Sequence, residues 1–381
     1  MTRFTIASFN VKNLIGADQE YYRWERYTDE EHAWKQEWLM QATEKMGRVA
    51  LAEFVKKASF AIICVALIGG QGDLLFAALA EIVAVVLWIG VFLWSQKRQG
   101  FSLGLVWSKP YLHKIGTQAA PLGLNAMIWG VAQFVPALIV AIIAGLEEAA
   151  WFAAAQRVVV SLQAFSYIYH FNLFAAMTRR FAAGGDGMAR LSAASFRCVA
   201  WIMVGPAIIG AVFANDVMAF TFGAAFTTSG PVFAVLLFVL PVHFLSGHYR
   251  WGLMAAGENR SAFRAGVAGA AVLLVLLPGL VWGMGAVGGG IAVLATAATI
   301  LLVAEQKCRT FSLGIPSIFS ACPQSVAGLL AVGLAVLILG TLDWFTQMVA
   351  AGALYATIAL VFDRKLFAEF RHLAYAKKDI V

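Results

Sequence analysis

Leu74 to Ser95, LLFAALAEIVAVVLWIGVFLWS, runs across 22 residues with one charged side chain, Glu81. A helix rises 1.5 Å per residue, so this stretch is about 33 Å long and matches the roughly 30 Å hydrocarbon core of a bilayer. Further stretches of the same kind lie at about 50–70, 119–144, 150–176, 192–214, 231–254, 264–283, 286–304, 324–342 and 345–362, which makes about ten spans. The chain is expected to be an all-α polytopic membrane protein.

Composition agrees. The 381 residues are 61% apolar and 13% charged, with a mean hydropathy of +0.77. A soluble domain carries about a quarter of its residues charged, so water is not the main solvent of this surface. The four cysteines, Cys64, Cys198, Cys308 and Cys322, lie far apart with no CxxC and no Cys/His pair at metal spacing. Neither a disulfide framework nor a metal site is indicated, and no cofactor is expected.

The net charge of +7 takes its meaning from where the basic residues fall. Five connections hold no Lys or Arg: Gly69 to Asp73, Glu147-Glu148, Asn215-Asp216, Gly283 to Gly285 and Thr341 to Asp343. The alternate set holds Lys97, Arg98, Lys109 and Lys114, then Arg179, Arg180 and Arg190, then Arg260 and Arg264, then Lys307 and Arg309. The positive-inside rule places the second set on the cytoplasmic side of the membrane. Arg48, Lys56 and Lys57 before the first span, and Arg364, Lys365, Arg371, Lys377 and Lys378 after the last, put both termini on that side. Topology and anionic inner-leaflet lipid account for the basic excess, so nucleic acid is not an expected partner. No apolar run like a signal peptide precedes residue 47.

Polar side chains at membrane depth mark helix faces turned to the bundle interior or to an aqueous path. Gln118, Asn125, Trp129 and Gln133 share one face of the third span, and Gln156, Gln163, Tyr167 and His170 share one face of the fourth. Two readings stand for these stripes: a hydrated lumen, or hydrogen-bonded packing between helices. Arg157 sits about 12 Å inside its span, against a hydrocarbon half-thickness of about 15 Å. It could bind an anionic headgroup, pair with Glu81 at similar depth, or snorkel outward. His243, Ser246 and Arg250 share a face of the sixth span, where a cavity would admit an anion; the other reading is an interfacial Arg250 and a packed His243. Pro121, Pro136, Pro206, Pro241 and Pro278 inside spans suggest bendable helices.

Four motifs follow one another along the chain: Gln118-Ala-Ala-Pro-Leu-Gly-Leu-Asn125, Ala149-Ala-Trp-Phe-Ala-Ala-Ala-Gln-Arg157, Phe222-Gly-Ala-Ala-Phe226 with Leu253-Met-Ala-Ala-Gly-Glu-Asn-Arg260, and Gly283-Met-Gly-Ala-Val-Gly-Gly-Gly-Ile-Ala292. From about Arg48 onward the chain thereby resembles the Wzx-like polysaccharide flippases of the multidrug/oligosaccharidyl-lipid/polysaccharide superfamily. The resemblance implies a MATE/MOP-like helical bundle of two six-helix lobes, alternating access, and a cationic lumen for an undecaprenyl-linked oligosaccharide. It implies transport for polysaccharide or lipopolysaccharide biosynthesis, not enzymatic turnover, with membrane lipids and glycan polymerase machinery as partners. The drive would be an H⁺ or Na⁺ gradient or the membrane potential, since no Walker motif occurs. Arg157 becomes the candidate phosphate contact.

Members of that family have twelve or fourteen spans, and here the Pro121 motif, which opens a second lobe, falls at span three. The expected division is therefore 48–117 as a two-helix remnant of the first lobe, 118–305 as a six-helix second lobe, 306–362 as a C-terminal pair and 363–381 as a basic tail. The alternative to a flippase is a truncated remnant, or a subunit that needs a partner chain. Residues 1–47 form a polar head. Arg3 to Leu14 resembles the first strand of endonuclease/exonuclease/phosphatase enzymes, with Asn10 at their metal-site position. The remaining catalytic segments of that family have no room before the first span, so the head is expected to be an appendage.

Overall fold

The computed structural model describes residues 46–67, 74–98 and 133–364, with Gly130 and Leu366 besides. The polar head with Asn10, the connection 68–73, the stretch 99–129 with Gln118, Asn125 and Trp129, and the tail beyond 366 lie outside the described residues. The chain divides into two compact units, Met1–Ala119 and Ala120–Val381.

In the first unit α1 (Met46–Leu67) packs along α2 (Leu74–Lys97). Ala52 and Phe92 are buried, with Trp88 and Val91 against them. Lys56 pairs with Glu81 at 3.4 Å, a short bridge between the two helices. Glu81 thus has a cation on α1.

The second unit holds α3 (Gln133–Ile143), α4 (Leu146–Ala183), α5 (Gly187–Val212), α6 (Ala214–Phe222), α7 (Gly230–Leu237), α8 (Val239–Ala255), α9 (Asn259–Thr310), α10 (Cys322–Leu339) and α11 (Trp344–Phe362). Among the described residues of the whole chain, seven helical stretches are long and apolar enough to cross a membrane. The sixth span of the sequence is α7 followed by α8. The seventh and eighth are the two arms of α9, which reverses at Gly285 (φ 56°, ψ −136°). Gly269 on the first arm lies against Ile300 on the second, so α9 is a helical hairpin.

α5 is the post of this unit. A helix that is apolar around its whole circumference belongs inside, and α5 meets neighbours on two sides. Phe196, Val199, Ala200, Val204 and Ile208 pack with Leu245, Tyr249 and Leu253 of α8 and Leu301 and Ala304 of α9. Cys198, Trp201 and Ile209 pack with Ala327, Ala331 and Ala335 of α10 and Ala351 and Tyr355 of α11. Large apolar side chains elsewhere face outward, among them Val275, Trp282, Leu337, Ile338 and Phe362. Such a belt is a liability in water and the expected surface in lipid.

The hairpin turn is held from another helix. The second arm begins at Ala286, whose N–H has no carbonyl four residues back because Gly285 breaks the helix. That N–H donates to the Glu148 carboxylate at 2.8 Å. A carboxylate at a helix N-terminus also meets the positive end of the dipole. The bond brings the 145–148 connection and the Gly285 turn to one end of the unit. Glu148→Ala should therefore lower stability by about 1–2 kcal/mol, and Glu148→Gln by less because an acceptor remains; thermal melting of the purified variants in detergent measures both. At α11, Asp343 performs a similar capping role, accepting from the Thr346 N–H at 3.0 Å and its hydroxyl at 2.7 Å. These bonds hold its carboxyl below the ordinary carboxylate range.

Candidate functional site: a polar cavity in the second unit

A cavity of about 100 Å³ lies among α3, α4, α7, α8 and α9. Its polar lining comes from Gln133 on α3, Gln156 and Gln163 on α4, His243, Ser246 and Arg250 on α8, and Thr296 on the second arm of α9. Val160, Leu236, Leu273, Val293 and Ile300 supply apolar walls. The helical period explains the set: positions 156, 160 and 163 form one face of α4, and 239, 243, 246 and 250 one face of α8.

Several lining groups are fixed by their own turns. Gln156 Nε2 donates to the Gln133 carbonyl at 2.9 Å. Ser246 Oγ donates to the His243 carbonyl at 3.0 Å, and Thr296 Oγ1 to Ala292 at 2.8 Å. Among the described residues the lining contains no Asp or Glu. Arg250 brings a positive charge to this lining, in a setting where charge is costly and rarely incidental.

Behind α8 lies a second polar layer that does not line the cavity. His248 Nδ1 faces the Phe244 carbonyl at 3.2 Å, and because a carbonyl only accepts, this nitrogen is the donor. His248 Nε2 then accepts from Ser195 Oγ at 2.8 Å, and Ser195 accepts from the Tyr169 hydroxyl at 2.6 Å. One directed chain thus ties α4, α5 and α8 together. His170 Nδ1 donates to the Ser166 carbonyl at 2.8 Å, leaving its buried Nε2 with no hydrogen-bond partner among the described residues and lying against Gly247. Its ring is 5.0 Å from that of His248.

The structure brings together Gln133, Gln156, Gln163, His243 and Arg250. His170 belongs to the packed layer. Glu81 lies on α2 in the first unit. Arg157 is exposed and does not line the cavity, being turned about 100° around α4 from Gln156. Asn125 and the side chain of Tyr167 lie outside what is described. Thr296 and the Tyr169–Ser195–His248 chain were not singled out from the sequence. Thr296 stands in an alanine-rich apolar run with no stripe to mark it, whereas Tyr169 and His248 carry a sequence signal: both are polar at membrane depth.

No family matches the sequence, and no curated protein does. The structure, however, is similar to the inward closed conformation of the lipid II flippase MurJ, with a TM-score of 0.66 at 10% identity, over 84% of this chain and 68% of that one. The chain has the MurJ fold. That fold is an all-helical bundle, as the resemblance of the four motifs implies, and the cavity lies within the part of it formed by α3 to α9.

Proposed function

We propose that the chain is a flippase that moves a lipid-linked saccharide precursor across a membrane by alternating access. The observation that carries this is the fold, shared over 84% of the chain with a lipid II flippase. Fold alone does not fix chemistry. Two features of the chain add support: an exposed arginine, Arg157, about 16 Å along α4 from its start at Leu146, and a polar cavity in the same unit with no carboxylate among its described lining residues. Arg157 offers a forked donor set that suits the diphosphate of an undecaprenyl-linked oligosaccharide. In this reading the basic connections are cytoplasmic, the membrane is a bacterial inner membrane, and the drive is the membrane potential or an ion gradient.

Complementation tests it. Expressed in a strain depleted of its own lipid-linked saccharide flippase, the chain should restore glycan export, Arg157→Lys should retain most of that rescue, and Arg157→Ala should lose about tenfold, an energy near 1.4 kcal/mol. No rescue by the wild-type chain at high membrane levels would favour the reading of a subunit that lacks a partner. Equal rescue by all three would remove Arg157 from the substrate path.

A further inference from the structure

We propose that the face of α4 that carries Arg157 continues as a saccharide subsite, with Phe165 as the platform for a sugar ring and Asn172 as the hydrogen-bonding partner of its hydroxyls. The inference rests on the transport reading and adds to it where the glycan lies relative to the diphosphate. With about 100° between successive residues, Ala153, Arg157, Ser161, Phe165, Ile168 and Asn172 fall within an arc of about 120°, and all six are exposed. The opposite face is closed, with Val159, Ser166 and Leu173 buried. Along the helix axis Phe165 lies about 12 Å from Arg157, and Asn172 about 22 Å.

An arc turned to hydrocarbon is expected to be apolar throughout, because a guanidinium or an amide is costly there. Here Arg157, Ser161 and Asn172 alternate with Phe165 and Ile168, the mixed lining that suits an amphipathic ligand. Arg157 and Asn172 stand on either side of the middle of the 38-residue helix. Each is about 11 Å from that point, inside a hydrocarbon half-thickness of about 15 Å. Sugar recognition asks for two kinds of group. A pyranose ring presents an apolar face of C–H groups that an aromatic ring covers, and Phe165 is 63% exposed. Its hydroxyls both donate and accept, as does a primary amide. Asn172 Nδ2 donates to the Ile168 carbonyl at 2.7 Å, which holds the amide on its helix; its carbonyl oxygen and second N–H are the pair that matches a hydroxyl. Ser161 spends its proton on the Arg157 carbonyl at 2.8 Å and has no such pair to offer.

The test measures binding of two probes to the purified full chain in detergent: a polyprenyl diphosphate carrying a short N-acetylhexosamine oligosaccharide, and the same polyprenyl diphosphate without sugar. The wild type is expected to bind the first at least about tenfold more tightly. Phe165→Ala should weaken that binding about tenfold and Asn172→Ala about fivefold, with the affinity for the sugar-free probe unchanged in both. Phe165→Trp should keep the preference, and Arg157→Ala should weaken both probes alike. Leu162→Ala, on the same helix outside the arc, should change neither. Because Phe165 and Asn172 are exposed, melting midpoints near that of the wild type are expected for their variants and separate lost contact from lost fold. Equal affinity of the wild type for the two probes, or losses in Phe165→Ala and Asn172→Ala that are absent or the same for both probes, would overturn the subsite while leaving the transport reading in place. Binding of neither probe would count against the transport reading and overturn the subsite with it.

Discussion

Gly247→Ala is expected to destabilise the second unit by more than the roughly 1–3 kcal/mol typical of overpacking, and to remove most folded protein from the membrane. The reason is one methyl group. Gly247 lies in the middle of α8, and a Cβ there would overlap the His170 imidazole at Nε2, Cε1 and Cδ2. His170 has little freedom to retreat. Its Nδ1 is bonded to Ser166, and the rings of Tyr169, Phe244 and His248 surround it. The sign of the effect separates this cause from helix propensity. Gly333 also lies inside a helix, α10, but a Cβ there meets nothing within 4 Å, so Gly333→Ala should be neutral or stabilising by up to about 1 kcal/mol. Combining Gly247→Ala with His170→Ala should recover part of the loss, because the overlapping ring is gone. Melting midpoints of the three variants in detergent check this, and Gly247→Ala melting like the wild type would contradict the packing described.

Gly285→Ala is expected to cost about 2–4 kcal/mol through two mechanisms. Its φ of 56° with ψ of −136° is a conformation that side chains with a Cβ rarely adopt. The added Cβ would also stand 2.7 Å from Glu148 Oε2, the atom that caps the second arm of α9 at Ala286. The cap and the turn therefore fail together. Because the cap is already lost in Glu148→Ala, the double variant should cost less than the sum of the singles. Full additivity, measured by the same melts, would mean that Glu148 and the turn are energetically separate.

Much of the fold was legible because the bilayer simplifies the problem: a span needs a sufficient apolar run, and residues such as 74–95 provide it without ambiguity. The turn at Gly285 was legible as a glycine-rich break between two runs. Its cap was not, since Glu148 is 138 residues away and nothing local links them. The site divides in the same way. The seven-residue spacings of Gln156 with Gln163 and of His243 with Arg250 put each pair near one helical face, and the cavity uses both. Extending the first spacing to His170 failed because 3.6 residues per turn does not divide seven. Each heptad drifts about 20°, and after two of them the stripe has rotated toward α5 and α8, where His170 packs. For Arg157 the depth was readable and the facing was not. Its neighbour Gln156 enters the cavity while Arg157 turns outward, a distinction set by how α4 packs and not by its sequence.

Movement of lipid-linked saccharide between leaflets by this chain is tested most directly by measuring transbilayer transfer itself. The purified chain would be placed in vesicles with a fluorescent polyprenyl-diphosphate saccharide in both leaflets, and a membrane-impermeant quencher added outside. The flippase reading predicts that the protected inner-leaflet signal decays much faster than in protein-free vesicles, at a rate that rises with the amount of chain and falls in Arg157→Ala. A protected fraction as stable as in protein-free vesicles, from a preparation whose melting shows it folded, would contradict it.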